Sequence, residues 1–198
     1  MKLVLATQNP KKLKEMNEIL SHLGVEVVSE AELGVRIEVE ETGETFTDNA
    51  RLKATAVMQA TGLPAVADDS GLCVDALNGG PGVYSARFGG EGLDDKGRYT
   101  LLLEMLRGQT DRAAHFHTSI VCAFPNGDEL VCEGECPGTI AFAPMGEGGF
   151  GYDPVFFVPE LRKTFGQLTA EETASVSHRG KALRAFAAAL DDYLKGNK

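Results

Sequence analysis

Two adjacent carboxylates, Asp68 and Asp69, follow the apolar run Ala65 to Ala67 and precede Ser70-Gly71. A buried strand that ends in carboxylates delivers them where α/β sheets hold their ligands. Neighbouring side chains on a strand point opposite ways, so one of the two faces a given site. Carboxylate and water oxygens suit Mg²⁺, and a carboxylate beside a metal-bound water can act as its general base. The same four residues are also good chemistry for a solvated turn. A second acidic pair, Glu40-Glu41, precedes Thr42-Gly43. Adjacent acids repel one another unless they are solvated or meet a cation. Coupled to Asp69, either glutamate would complete a Mg²⁺ site. Lys53, two turns into the helix that follows, would offset phosphate charge there.

Three further segments carry donors or rings. Thr7-Gln8-Asn9-Pro10-Lys11-Lys12 sits where a strand ends and a helix begins. Free backbone N–H groups and a partial positive charge make a helix start a phosphate holder. Thr7 and Asn9 add side-chain donors, and the two lysines add cations. It lacks the glycines of a P-loop, and it also reads as a plain capped helix with surface lysines. In Gly148-Gly149-Phe150-Gly151-Tyr152-Asp153-Pro154, glycines flank an aromatic. Phe150 can stack on a base, and Asp153 can accept base or ribose hydrogens. Ser177-His178-Arg179-Gly180 begins the last helix with two donors, and Arg suits a carbonyl or phosphate oxygen. His115 and His117 share a strand face with no acidic partner nearby in sequence, and they read as structural. Cys132 and Cys136 lack a matching second pair, so the reading is reduced strand cysteines rather than zinc ligands.

These groups need a scaffold. Lys2 to Ala6 reads as a buried strand. Asn9 and Pro10 are an N-cap and first helical residue, and Leu13, Met16, Leu20 and Leu23 follow at helical spacing until Gly24. Val25 to Val28 is the next strand. Thr45 and Asp48 resemble a capping box for a helix to about Thr61, with Ala50, Ala54, Val57 and Met58 inward. Ala65 to Ala67 is a strand, and a helix spans about Asp94 to Leu106. Phe116, Ile120, Cys122 and Phe124 share one strand face, Pro125 to Asp128 turns, and Glu129 to Glu133 returns. Leu183, Phe186, Leu190 and Tyr193 mark a final helix capped by Ser177. Strands alternating with helices, plus a long hairpin, predict an α/β fold: two-lobed, with a central mixed β-sheet flanked by helices and 1–198 as one such domain.

Composition narrows the partners. The 198 residues carry 29 acids against 19 bases, a net charge of −10, which argues against a nucleic-acid polymer, since polyanion binding needs clustered positive charge. Much of that acidity is local: Glu26 to Asp48 holds eight acids and one base, Arg36. Residues 1 to 25 carry four lysines and two glutamates, and they include the phosphate-type segment. No apolar run approaches the ~20 residues of a membrane span, and the first residues lack a signal-peptide core. The expectation is a cytoplasmic protein without a membrane partner.

Taken together, Thr7-x-Asn9-x-x-Lys12, Glu40-Glu41-Thr42-Gly43 through Lys53, Ala67-Asp68-Asp69-Ser70-Gly71-Leu72, Asn78 through Arg87, Gly149-Phe150-Gly151-Tyr152-Asp153-Pro154 and Ser177-His178-Arg179-Gly180 resemble, in order and spacing, the inosine/xanthosine triphosphate pyrophosphatases. The likeness runs from Lys2 to about Leu190. It implies a two-lobed homodimer that uses Mg²⁺ to hydrolyse ITP, dITP and XTP to the monophosphate and pyrophosphate. Mn²⁺ fits the same oxygen ligands. By position, Asp69 matches the acid that activates water and helps hold metal. Glu40 matches a metal-binding carboxylate, with Glu41 and Asp68 as helpers. Thr7, Gln8, Asn9, Pro10, Lys11, Lys12 and Lys53 match the phosphate grip, and Ser70 a substrate contact. Phe150, Gly151, Tyr152 and Asp153, with His178 and Arg179, match the base pocket. One departure stands out: relatives often read Glu-Glu-Lys before Ser-His-Arg, whereas this chain has Glu171-Glu172-Thr173. Either Thr173 meets the ligand through its hydroxyl, or a nearby cation such as Lys163 compensates.

Overall fold

The computed structural model describes residues 1–7 and 9–196; Gln8 of the phosphate-type segment lies outside the described residues. Seven strands form a mixed sheet in the order β2-β1-β3-β4-β5-β6-β7, and five α-helices accompany it among the described residues. The strands are β1 Lys2–Leu5, β2 Glu26–Ser29, β3 Ala65–Val74, β4 Ala113–Ala123, β5 Glu129–Ile140, β6 Phe156–Val158 and β7 Lys163–Thr164. The helices are α1 Pro10–Leu20, α2 Phe46–Thr61, α3 Asp95–Met105, α4 Ala170–Val176 and α5 His178–Gly196. β2, β1 and β3 run parallel, and β5, β6 and β7 antiparallel. The expected α/β class with a mixed sheet is what the chain adopts. None of the described helices is long and apolar enough to cross a membrane.

The chain divides into two compact units. The first comprises 1–69, 118–134 and the chain from Lys181 onward; the second comprises 70–117 and 135–180. β3, β4 and β5 each contribute residues to both. The core of the first unit joins Leu3, Leu5 and Met16 to Ile120, Phe186 and Leu190. That of the second joins Leu72, Leu102, Phe116, Ile140, Phe156 and Phe165.

Local chemistry explains the helix ends. The Asn9 side chain accepts from the Lys11 N–H at 2.9 Å, and Pro10 opens α1. Asn17 of α1 then donates to the Val27 carbonyl and accepts its N–H, pinning the helix to β2. At α2, Thr45 and Asp48 form the reciprocal capping box, and Gly62, at φ 66°, ends the helix in the left-handed region that glycine adopts without penalty. Ser177 Oγ accepts the Gly180 N–H at 3.0 Å at the start of α5.

The structure corrects two strands. Ala65 to Ala67 reads as a strand with Asp68-Asp69-Ser70-Gly71 at its end, those four also fitting a turn, but β3 continues through to Val74. Turn propensity is a local preference, and here partners from α1 and α2 meet the two carboxylates and hold the strand extended. β5 likewise runs past Glu133 to Ile140, through Pro137-Gly138. Gly138 is required: a Cβ there would sit 2.5 Å from the Phe157 carbonyl and 2.7 Å from the Phe156 ring. Proline and glycine that read as a break instead allow the close approach of β6.

Candidate active site

In the first unit, β3 presents its two carboxylates to two lysines. Lys12, in the first turn of α1, places Nζ 2.7 Å from Oδ2 of Asp68, a carboxylate that is almost wholly buried. The next residue, Asp69, points the other way along the pleat, toward α2. There Lys53 Nζ lies 3.2 Å from Asp69 Oδ1 and 2.7 Å from Glu41 Oε1. Asn49, buried one turn earlier on α2, donates to Asp69 Oδ2 at 3.4 Å. Its own Oδ1 accepts the Gly43 N–H at 2.8 Å, which ties the acidic loop to the helix. Gly43 makes that tie possible, since a Cβ would fall 2.6 Å from Cβ of Asp48 and 2.7 Å from Asn49 Oδ1. The two faces of β3 thus carry separate duties, as strand alternation requires.

Electrostatics at Asp69 favour basicity. Burial pushes its carboxyl upward, Lys53 opposes that, Glu41 adds to it, and the net shift is up. Burial pulls Lys53 down, but Asp69 and Glu41 outweigh it, and its net shift is also up. A carboxylate raised in this way accepts a proton more readily at neutral pH. The oxygen-only donor set of Glu41 and Asp69 suits a hard divalent cation such as Mg²⁺. Glu40 is exposed, and its backbone carbonyl accepts the Thr42 N–H at 3.1 Å. The structure therefore brings Glu41, rather than Glu40, against Asp69 and Lys53.

The phosphate-type segment leads into α1. Thr7 Oγ1 accepts the Asn9 N–H at 3.2 Å, so both side chains shape the loop that they belong to. Pro10 and Lys11 are exposed, while Lys12 is half-buried on Asp68. Thr7, Asn9 and Pro10 line a cleft of about 410 Å³ together with Arg36, the one base of the acidic segment.

The second unit holds the glycine loop. Phe150 is 82% exposed, and its ring lines a cleft of about 660 Å³ against the start of α3. Its N–H donates to Asp153 Oδ2 at 2.9 Å, and the Gly151 N–H donates to Asp95 Oδ2 at 2.7 Å. Gly149, at φ 77°, leaves room for Asp153, whose Oδ2 would lie 2.0 Å from an added Cβ. Tyr152 is buried, and its hydroxyl donates to the Ser85 carbonyl at 2.7 Å. His178 opens α5 with its ring stacked on Phe116, centroids 4.7 Å apart and planes at 15°. Arg179 follows in the same turn. Ser70 is exposed at the first position of this unit. At the Thr173 departure, the Thr173 hydroxyl donates to the Thr169 carbonyl at 3.0 Å, and Lys163 is 2.7 Å from Glu172.

Asp153 gives a pH-dependent prediction. Burial raises its carboxyl from 3.8 to about 6, the Phe150 N–H resists, and Asp95 adds to the rise. The folded protein then keeps this proton in a window where the unfolded chain has lost it. Stability falls as pH rises from about 4 to about 6, by up to about 3 kcal/mol, because each tenfold change in proton affinity is worth ~1.4 kcal/mol. Urea titrations of wild type and Asp153→Asn across that range should show a shallower slope in the variant.

Sequence reasoning missed Asn49 and Asp95, which position the acidic and glycine loops. Asn49 links the loop at Gly43 to Asp69 of β3, Asp95 bonds a loop 56 residues away, and nothing in their local spacing signals either.

A family model described as the Ham1 family matches residues 3–189. A dITP/XTP pyrophosphatase from an Exiguobacterium species is 50% identical over 196 residues, covering 99% of this chain and 100% of that protein. One of the same name from Thermus thermophilus is 52% identical over 194 residues, covering 97% and 93%. Among solved structures, the Ham1 protein of Staphylococcus aureus superposes with a TM-score of 0.91 at 41% identity, covering 100% of both chains. A HAM1 protein from Coxiella burnetii gives 0.93 at 42% identity, covering 97% of this chain and 99% of that one.

Proposed function

The chain belongs to the Ham1 family, and we propose that it hydrolyses the deaminated purine triphosphates ITP, dITP and XTP to the nucleoside monophosphate and pyrophosphate. The observation that carries this is the paired arrangement on β3, with Asp68 on Lys12 and Asp69 on Lys53 beside Glu41. It combines a raised carboxylate, an oxygen donor set and two cations within one unit. The curated relatives at about half identity bear the matching name.

Mg²⁺, held by Asp69 with Glu41 or Glu40, would supply charge neutralisation at the phosphates and a more acidic water. Mn²⁺ would serve through the same oxygens. Asp69 takes the proton from the attacking water. Lys53 and Lys12 grip phosphate oxygens as their carboxylates turn to other partners, and Thr7 to Lys12 hold the chain of phosphates at the start of α1. In-line attack at the α-phosphorus breaks its bond to the bridging oxygen and releases pyrophosphate, so no covalent intermediate on the protein is needed. Phe150 stacks on the base, and His178 and Arg179 donate toward its 6-carbonyl. We also read the protein as a cytoplasmic homodimer that keeps deaminated bases out of the nucleotide pool.

The test is to incubate the protein with ITP, XTP, ATP and GTP plus Mg²⁺ and to identify the products. Inosine monophosphate with pyrophosphate is the expected outcome. Inosine diphosphate with orthophosphate would make it a general nucleotide phosphatase, and binding without turnover would make it a nucleotide sensor.

A further inference from the structure

His115 and His117 flank Phe116 on β4, so both imidazoles stand on the face opposite the Phe116 ring. The acidic partner that sequence did not offer comes from the neighbouring strand. Glu135 of β5 lies across from His117, with Oε1 3.0 Å from Nδ1. One ligand atom from each of His115, His117 and Glu135 falls within 4.8 Å of the other two. All three residues belong to the second unit, and none is in the acid–lysine cluster of the first. The His117 side chain is 14% exposed and that of Glu135 59%, so one ligand is held firmly while another opens to solvent.

We propose that His115, His117 and Glu135 form a second metal site, one that takes a borderline divalent transition ion such as Zn²⁺. Two neutral imidazoles and a carboxylate are a three-ligand set that leaves a fourth position for water. Metal–ligand bonds of about 2.0–2.2 Å in a tetrahedral site put ligand atoms about 3.4 Å apart. The 3.0 Å edge and the 4.8 Å limit bracket that distance. Rotation of the three side chains would bring the ligand atoms toward that spacing. The ion replaces the proton of the His117–Glu135 hydrogen bond, and the exposed carboxylate provides its way in. Selectivity follows from the ligands: Mg²⁺ prefers an all-oxygen octahedron and keeps its waters, while imidazole suits Zn²⁺, Ni²⁺ and Cu²⁺. The site also lies on the reverse face of the strand whose Phe116 supports His178. A bound ion would hold that support in place.

The experiment uses tag-free, chelator-stripped protein titrated with Zn²⁺ against a chromophoric chelator, in buffer containing millimolar Mg²⁺ to occupy oxygen sites. One Zn²⁺ per chain should bind, with affinity at least tenfold weaker in His115→Ala and His117→Ala, weakened in Glu135→Gln, and unchanged in Asp69→Asn. Zinc X-ray absorption on the wild-type protein should show imidazole scattering, which keeps the test informative if a variant misfolds. Equal affinity in the histidine variants, loss of the ion in Asp69→Asn, or an all-oxygen shell would each overturn the site. Turnover of ITP with Mg²⁺ should persist in the histidine variants, so the result stands apart from the proposed catalytic reading.

Discussion

Asp69→Asn should lower turnover of ITP by about 10²–10⁴-fold, the usual worth of a positioned general base, while leaving the fold intact. The replacement is isosteric, but its single acceptor oxygen serves either Asn49 or Lys53, so one of those two contacts is lost. Lys53 loses one carboxylate but retains Glu41 at 2.7 Å, and no buried cation is stranded. Pyrophosphate release in steady state, paired with a urea titration, separates the two effects. Unchanged release would assign the base elsewhere, with Glu41 and Asp68 next in line. Loss of folding would show instead that the Asp69–Lys53 pair is structural. The contrast with Asp68 is instructive: that carboxylate is buried on Lys12, so replacing it leaves the lysine without its 2.7 Å partner.

The second large effect is on choice of base. Deamination turns the purine 6-amino group, a donor, into a carbonyl, an acceptor. In the proposed reading, donors from His178 and Arg179 would favour the carbonyl, and an amino group facing them would leave both sides unsatisfied. Sites built on such hydrogen bonds discriminate by ~10⁴-fold or more in total. Arg179→Ala should therefore reduce the ratio of kcat/KM for ITP over ATP by about 10–100-fold, the worth of one charged hydrogen bond. An unchanged ratio would remove Arg179 from base reading. GTP shares the 6-carbonyl, so the ratio of ITP to GTP turnover should not follow the same variant.

Much of the architecture was legible because it is set locally. The Asn9 cap, the Thr45–Asp48 box and the Ser177 cap each satisfy helix N–H groups from within four residues, and the structure has all three. The exceptions are where distant partners decide. Asp68-Asp69-Ser70-Gly71 reads as a turn until Lys12, Lys53 and Asn49 are brought to it, after which a strand is the better state. Between Glu40 and Glu41, only the geometry of the loop tied by Gly43 and Asn49 selects the residue that meets Lys53. His117 acquires Glu135 solely through the pairing of β4 with β5. The site's residue types were visible in the chain, while their partners depended on folding.

The lysine shared between Glu41 and Asp69 has a thermodynamic consequence. Lys53 offsets the charge of only one of the two acids it touches, so in the resting cluster the lysine competes with a cation for the carboxylates and the carboxylates compete with a phosphate for the lysine. A divalent cation that takes the carboxylates frees the ammonium, and a triphosphate that takes the ammonium frees the carboxylates. Each ligand thus relieves the cost of the other, and linkage requires the coupling to be equal in both directions. In the proposed reaction the cluster would therefore favour metal and nucleotide bound together over either alone.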